Sequence, residues 1–188
     1  MSIDINKCKI KMIVDSRERS WDHIRNVWDI KKIDYYIKDK GLKTGDYSIA
    51  VQTPTGEVVS FEDKVVIERK ACLTELCGNL TDNRDSAGKN RFIKELERAK
   101  KNNIKLILLI EDSQGYDKAL RGFFREDKPS KMNSNGFIGM LMAYKARYDF
   151  ELVWLDKELS ASYMYKFCLL YTSPSPRDLS TSRMPSSA

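Results

Sequence analysis

Asp15, Asp46, Glu68 and Lys70 are the residues of this chain whose types and spacing could do chemistry. In VVIERK, residues 65–70, side chains alternate across an extended strand, so Glu68 and Lys70 share one face and Arg69 takes the other. A carboxylate and an ammonium on one face, joined by the second carboxylate of Asp46, suit metal-assisted phosphodiester hydrolysis. Mg²⁺ is a hard cation that prefers oxygen ligands, keeps several waters and commonly takes only one or two protein carboxylates. Such an ion polarises a scissile phosphate and lowers the pKa of a bound water, while the ammonium orients that water or stabilises developing charge. The ordinary lysine pKa of about 10.4 keeps Lys70 from acting as a free base unless burial or a neighbour lowers it. On spacing alone, an acid followed by E-x-K also describes a solvated sheet edge in a chain with 32% charged residues.

Chemistry of this kind needs elements that bring the residues to one place. Residues 10–14 (IKMIV) form a short apolar run before DSRER, which predicts a buried strand delivering Asp15 at its C-terminal end. Trp21, Ile24, Val27 and Trp28 recur at helical spacing within residues 20–30, followed by a strand over 33–37 and a turn at Gly41. In LKTGDYSIAV, Gly45 permits a tight backbone before Asp46, and Tyr47, Ile49 and Val51 alternate as in a strand. A turn at residues 54–56 (PTG) closes a hairpin whose return strand runs through Val58 and Phe61 to end on Glu68, Arg69 and Lys70. Further on, the pattern predicts helices over 73–80 and 91–101 and a strand buried on both faces over 104–110. A helix capped by Asn133 or Ser134 runs to Tyr148, then come a strand over 150–155 and a helix from Lys157. Strands alternating with helices predict an α/β fold, an α/β/α sandwich with a mixed sheet and no internal repeat.

Composition narrows the classes. A length of 188 residues with 41% hydrophobic residues suits one domain. No stretch approaches the roughly 18–20 apolar residues of a membrane span, and the N-terminus lacks the apolar core of a secretory signal. The net charge of +6 fits an anionic partner, although 27 acids dilute that signal. Cys8, Cys72, Cys77 and Cys168 form no CxxC pair, and the single histidine, His23, has no companion at metal-ligand spacing, so zinc is not expected.

From Cys168 the pattern changes. Residues 171–188 hold three of the five prolines, many serines and no hydrophobic period, a composition that by itself gives a disordered tail. Back-translated, CLLYTSPSPRD corresponds to DNA resembling the transposon end and adapter of short-read sequencing libraries, and residues 182–188 resemble the downstream adapter. The expectation is a native domain over 1–167 and a non-native, disordered tail over 168–188. The native part is then truncated within or just after a helix at 157–167 whose Leu159, Tyr163 and Phe167 pack on the sheet.

The longer text sharpens the reading. IVDSRE, LKTGDY and VVIERK occur in this order, each beside an apolar strand. They resemble the xeroderma-pigmentosum-group-F type nuclease domain, a branch of the restriction-endonuclease-like superfamily whose motif is GD followed by ERK. The resemblance covers most of residues 10–167 and implies a nuclease domain with a restriction-endonuclease-like α/β/α sandwich around a central mixed sheet. It implies an endonuclease that needs Mg²⁺ or Mn²⁺ and cuts branched or flapped DNA. Carried over by position, Asp46 and Glu68 are metal ligands, the Arg69 backbone carbonyl is a further one, and Lys70 is the catalytic lysine. Asp15 and Glu18 are acids of the site, with Arg17 near the phosphates. The family often has an Asp four residues after the ERK lysine; here Thr74 stands there and Glu75 follows. Aligning ELCGNL makes Glu75 the equivalent with one residue inserted, yet a one-residue shift turns a helical side chain by about 100°, so a solvated helix acid is an equal reading.

Arg84, Lys89 and Arg91 around a polar loop, and Arg121, Arg125, Lys128 and Lys131 in a second basic stretch, are candidate DNA contacts. Such side chains neutralise phosphates without reading sequence, which suits recognition by shape. Each is equally an ordinary charged surface, and Phe123 and Phe124 between them are more often core than a base-stacking wedge. Gly-x-Gly hairpins and Walker motifs are missing, so no nucleotide cofactor is expected. The resemblance is to the compact stand-alone form of phages and mobile elements, in the cytoplasm of a bacterial or phage-infected cell, and it leaves both a homodimer and a monomer open. Two other readings stay open: a non-catalytic DNA-binding scaffold subunit, and a nuclease acting on RNA or single strands.

Overall fold

The apolar runs of the sequence become strands of one sheet in a computed structural model that describes residues 7–81, 90–124 and 133–172. The elements are β1 (Lys9–Asp15), α1 (Asp22–Ile30), β2 (Asp34–Lys38), β3 (Tyr47–Gln52), β4 (Val58–Ser60), β5 (Val65–Lys70) and α2 (Leu73–Thr81). They continue as α3 (Arg91–Lys101), β6 (Lys105–Ile110), α4 (Gly115–Leu120), α5 (Ser134–Tyr148), β7 (Glu151–Trp154) and α6 (Lys157–Thr172). The strand order is β2-β1-β3-β5-β6-β7, with β4 paired to β3. β1–β2, β5–β6 and β6–β7 are parallel, whereas β3 runs antiparallel to β1, β4 and β5. The C-terminal ends of β1 and β5 therefore meet the N-terminal entry of β3 at one end of the sheet. That end gathers Asp15, Asp46 and Glu68.

Alternation along β5 and β6 decides which layer each side chain enters. Val65, Ile67, Ile107 and Leu109 face α1 and α6, with Trp28, Ala161 and Met164 in the same core. Val66, Leu106, Leu108 and Ile110 face the other way, against Leu76, Phe92, Leu96 and Phe137 of α2, α3 and α5. The result is the expected α/β/α sandwich around a mixed sheet. All six residues of β5 are buried, so Glu68, Arg69 and Lys70 are held in the interior by a strand that is apolar up to that point.

Three expectations change. The return strand of the hairpin is two strands, because a turn at Phe61–Lys64, closed by Lys64 N–H to Phe61 O at 2.9 Å, interrupts it. β4 covers the far half of β3, and β5 pairs with β3 in register only at Tyr47 and Ile67, just after Asp46. In α6 the buried stripe is Ser160, Ala161, Met164 and Cys168, with Tyr163 and Phe167 half-buried and packed against the same core, while Leu159 is 56% exposed and does not join them. The small pair Ser160 and Ala161 lets the helix backbone approach α1 closely enough for Trp28 Nε1 to donate to Ala161 O at 3.0 Å. α6 also runs past the expected start of a disordered tail at Cys168, to Thr172, because Cys168 falls on the same helical stripe as Ala161 and Met164. The short helix α4 carried no helical period in the sequence. Among the described residues no helix is long and apolar enough to cross a membrane.

Candidate active site

The site is built on a glycine. Gly45 has φ +73°, and a Cβ there would stand 2.8 Å from Val66 Cβ and 3.1 Å from Ile67 O, so neither the backbone conformation nor the space admits a side chain. This close approach lets Asp46 N–H donate to Ile67 O at 2.8 Å, and Asp15 N–H in turn donates to Asp46 O at 2.8 Å. The Asp46 carboxylate accepts from Arg69 N–H at 2.8 Å, and Glu95 of α3 accepts from Gly45 N–H at 2.7 Å. Asp46 is thus tied to β1 on one side and β5 on the other.

Glu68 and Lys70 point from β5 into the α2–α3 side, where Lys70 Nζ donates to Glu68 Oε1 at 2.7 Å. Lys70 Nζ also lies 3.8 Å from Glu75 Oε1 and 5.5 Å from the centre of the Phe92 ring. Glu68 Oε2 is buried and has no hydrogen-bond partner. Burial and the neighbouring Glu68 and Glu18 charges push the Asp46 carboxyl well above the usual carboxylate range. Burial also pushes Glu68 up to about 7, with Lys70 opposing and Glu95 adding to the rise. Burial works against the Lys70 ammonium, but Glu68 and Asp46 outweigh it and its pKa rises, so Lys70 stays charged. Two desolvated carboxylates, one of them further disfavoured by the charge of the other, are what an oxygen-preferring cation would relieve. Among the described residues no three Asp, Glu, His or Cys side chains form a metal cluster.

These groups line a cleft of about 630 Å³ together with Asp15, Arg17, Arg19, Asn79, Asn90, Arg91, Phe92 and Glu95. Asn90 is buried in its wall, capping α3 through Ile93 N–H and donating to Asn79 O at 2.5 Å. On the opposite face of β5 the Arg69 guanidinium is buried and fully engaged. Nε donates to Glu18 Oε1 at 2.7 Å, Nη1 to Glu111 Oε2 at 2.7 Å and Nη2 to Arg19 O at 3.0 Å. Tyr47 Oη donates to Glu18 at 3.0 Å, and His23 Nε2 lies 2.7 Å from Glu111 Oε1. This polar network under the sheet fixes the strand whose backbone N–H positions Asp46.

The family model described as the ERCC4 domain matches residues 14–167. The chain belongs to the ERCC4 domain family, the XPF-type nucleases. The chain is also similar to XPF from Aeropyrum pernix, with 17% identity and a TM-score of 0.58, covering 92% of this chain and 68% of that one. The same archaeal protein in complex with DNA matches with 16% identity and a TM-score of 0.57, covering 95% of this chain and 76% of that one. No curated protein matches the chain. By family this is an XPF-type nuclease domain.

The ERCC4 domain brings Asp46, Glu68 and Lys70 together, but it gives other predicted site residues different work. Asp15 lines the cleft, yet its carboxylate is saturated by Arg17 N–H (2.7 Å), Arg17 Nε (2.9 Å), Arg17 Nη2 (2.7 Å) and Leu42 N–H (2.5 Å). Burial works against the ionised form, but these donors outweigh it and its pKa is lowered. Gly41, with φ +66°, makes room for this lock, since a Cβ there would meet Asp15 Oδ2 at 2.7 Å. The Asp15 carboxylate thereby ties the loop before Asp46 to the end of β1, and Arg17, 60% exposed, reaches the mouth from it. Glu18 does not line the cleft; its carboxylate serves Arg69 and Tyr47 beneath. Glu75, not Thr74, faces the site: Glu75 Oε2 accepts from Ala71 N–H at 2.8 Å beside Lys70, whereas Thr74 Oγ1 turns away to donate to Phe124 O at 2.8 Å. Arg91 lines the cleft. Arg121 does not, and pairs with Asp117 at 2.9 Å on α4. Phe124 is core, packed on Phe137 with centroids 5.0 Å apart. Arg84, Lys89, Arg125, Lys128 and Lys131 lie outside the described residues.

Glu95 and Glu111 were not anticipated. Glu111 carried a usable signal, an acid immediately after the buried strand IKLILLI, the same cue that singles out Asp15. Glu95 carried none, because on a helix with charges all along its outer face nothing local distinguishes the acid that folds back onto Gly45.

Proposed function

We propose that this ERCC4 domain is a divalent-metal-dependent endonuclease that hydrolyses phosphodiester bonds in branched or flapped DNA. The observation that carries the reading is the buried Asp46–Glu68 pair, with Glu68 Oε2 lacking a partner and Lys70 beside it, at the base of a cleft rimmed by Arg17, Arg19 and Arg91. The donor set is all oxygen and only partly saturated, which fits Mg²⁺ or Mn²⁺ in a shell that keeps waters. Asp46 and Glu68 would hold the ion. The Arg69 carbonyl is a further candidate, because a strand residue's N–H and C=O point to the same side and the Arg69 N–H already reaches Asp46.

The ion would supply Lewis acidity toward a phosphate oxygen and an acidified water. The chain's own residues do the rest. Lys70, kept protonated by Glu68, donates to the attacking water or to an oxygen gaining charge, and Glu75 steadies the ammonium from α2. Arg17, Arg19 and Arg91 take phosphates next to the scissile one. They address the backbone rather than base edges, which supports selection by DNA shape.

A cleavage panel of flap, fork, four-way junction, duplex and single-stranded DNA tests this. Mg²⁺-dependent cutting that favours the branched substrates and is lost in Asp46→Asn supports it. Binding without cutting under all metal conditions rejects it in favour of a scaffold. A preference for RNA or unbranched single strands rejects the substrate assignment.

A further inference from the structure

We infer that the solvent face of α3 is a DNA-backbone track leading away from the cleft, formed by Lys94, Arg98 and Lys101 with Lys43 beside them. The inference rests on the reading that the cleft takes DNA, and it adds where the flanking duplex lies. Arg91, Lys94, Arg98 and Lys101 follow one another at spacings of three, four and three, so they form one stripe along the helix, and all four are exposed. Phe92, Ile93, Leu96 and Ala99 occupy the opposite, buried side. The stripe starts at the catalytic cleft, since Arg91, Phe92 and Glu95 line it. Arg98 Nη1 donates to the backbone carbonyl of Lys43, which brings an exposed lysine from the loop leading to Gly45 and Asp46 alongside the helix.

Helix physics accounts for only part of this charge. Cations in the last turn, Arg98, Lys100 and Lys101, complement the helix dipole. Arg91 sits at the other end, where a positive charge opposes the dipole, and the first turn holds no acid. A basic residue kept where the helix disfavours it fits an external anion. From Arg91 to Lys101 the helix rises about 15 Å, and one DNA strand carries a phosphate about every 3.4 Å of axis, so the stripe lies beside roughly four phosphates. Regular spacing, no aromatic residue in the stripe and a location beside the phosphodiester site all fit a duplex backbone.

The test is the salt dependence of binding by the full chain to labelled duplex DNA without divalent ions, from about 50 to 200 mM salt. Each lost phosphate contact lowers the slope of log K against log salt by about 0.9. Lys94→Gln/Arg98→Gln/Lys101→Gln should lower it by about 2 to 3, and Lys94→Gln/Lys101→Gln, which leaves the Arg98–Lys43 bond intact, by about 2. For the triple variant this narrows the affinity change across that salt range by about 40-fold. Lys100→Gln, on another face and 4.0 Å from Asp149, should leave the slope unchanged. A double-variant slope within about 1 of the unsubstituted chain overturns the inference, as does an equal effect per charge from Lys100→Gln. Because the readout needs no cleavage, a chain that never cuts DNA but loses slope in the double variant rejects the catalytic reading alone.

Discussion

Glu68 and Lys70 are joined at 2.7 Å through only one of the two carboxylate oxygens, and the other, Glu68 Oε2, is buried without a partner. A carboxylate half satisfied at this depth fits a ligand position. Glu68→Gln should lower Mg²⁺-dependent cleavage by at least about 100-fold. Thermal melts give an independent reading: saturating Mg²⁺ should stabilise the unsubstituted chain by about 2.7 kcal/mol at 100 times Kd and leave the variant nearly unmoved.

The two residues that could replace the family's downstream acid should separate kinetically. Glu75→Gln weakens the clamp on Lys70 and should reduce kcat by about 10- to 100-fold. Thr74→Val removes a hydrogen bond to Phe124 O on the far side of α2, costing about 1 kcal/mol of stability with kcat retained. Equal loss of kcat in both would mean that the helix, not the acid, matters.

Gly45→Ala should cost at least about 2 kcal/mol, combining left-handed backbone strain with contact on Val66 and Ile67. Because the clash bears on the residue before Asp46, cleavage should fall further than the loss of folded protein explains. Parallel circular dichroism and rate measurements separate the two.

Arg69→Met removes the guanidinium shared by Glu18 and the buried Glu111, and losing one partner of such an ion-pair network costs about 3–5 kcal/mol. Urea unfolding should show the midpoint falling with little change in slope. Arg69→Lys should rescue only part, since one ammonium cannot reproduce three directed contacts to Glu18, Glu111 and the Arg19 carbonyl.

Asp15 sets a pH dependence. Its pKa in the folded protein lies below the ordinary 3.8, so its contribution is fully present above about pH 4 and is lost as pH falls through the lowered folded value. Asp15→Asn should cost about 2 kcal/mol near neutral pH, and the gap between the two proteins should close on acidification. A gap that stays constant down to acid unfolding contradicts the lock described for Arg17 and Leu42.

Strand and helix periods, the α/β/α layering, and the trio of Asp46, Glu68 and Lys70 were legible in the sequence. Apolar runs that end abruptly in charge mark buried strands whose tips reach a sheet end, and alternation places Glu68 and Lys70 together without any tertiary information. What side chains do with their lone pairs was not legible. Asp15 and Glu18 look alike in VDSRE, yet one locks onto Arg17 and Leu42 on one side of the sheet and the other onto Arg69 on the opposite side. The side chain of Glu95 reaches Gly45 across fifty positions of sequence. Local sequence determines element type and the face a residue occupies, because backbone geometry is periodic. Which carboxylate is saturated and which is left open depends on donors from distant strands and helices, and only the tertiary structure decides that.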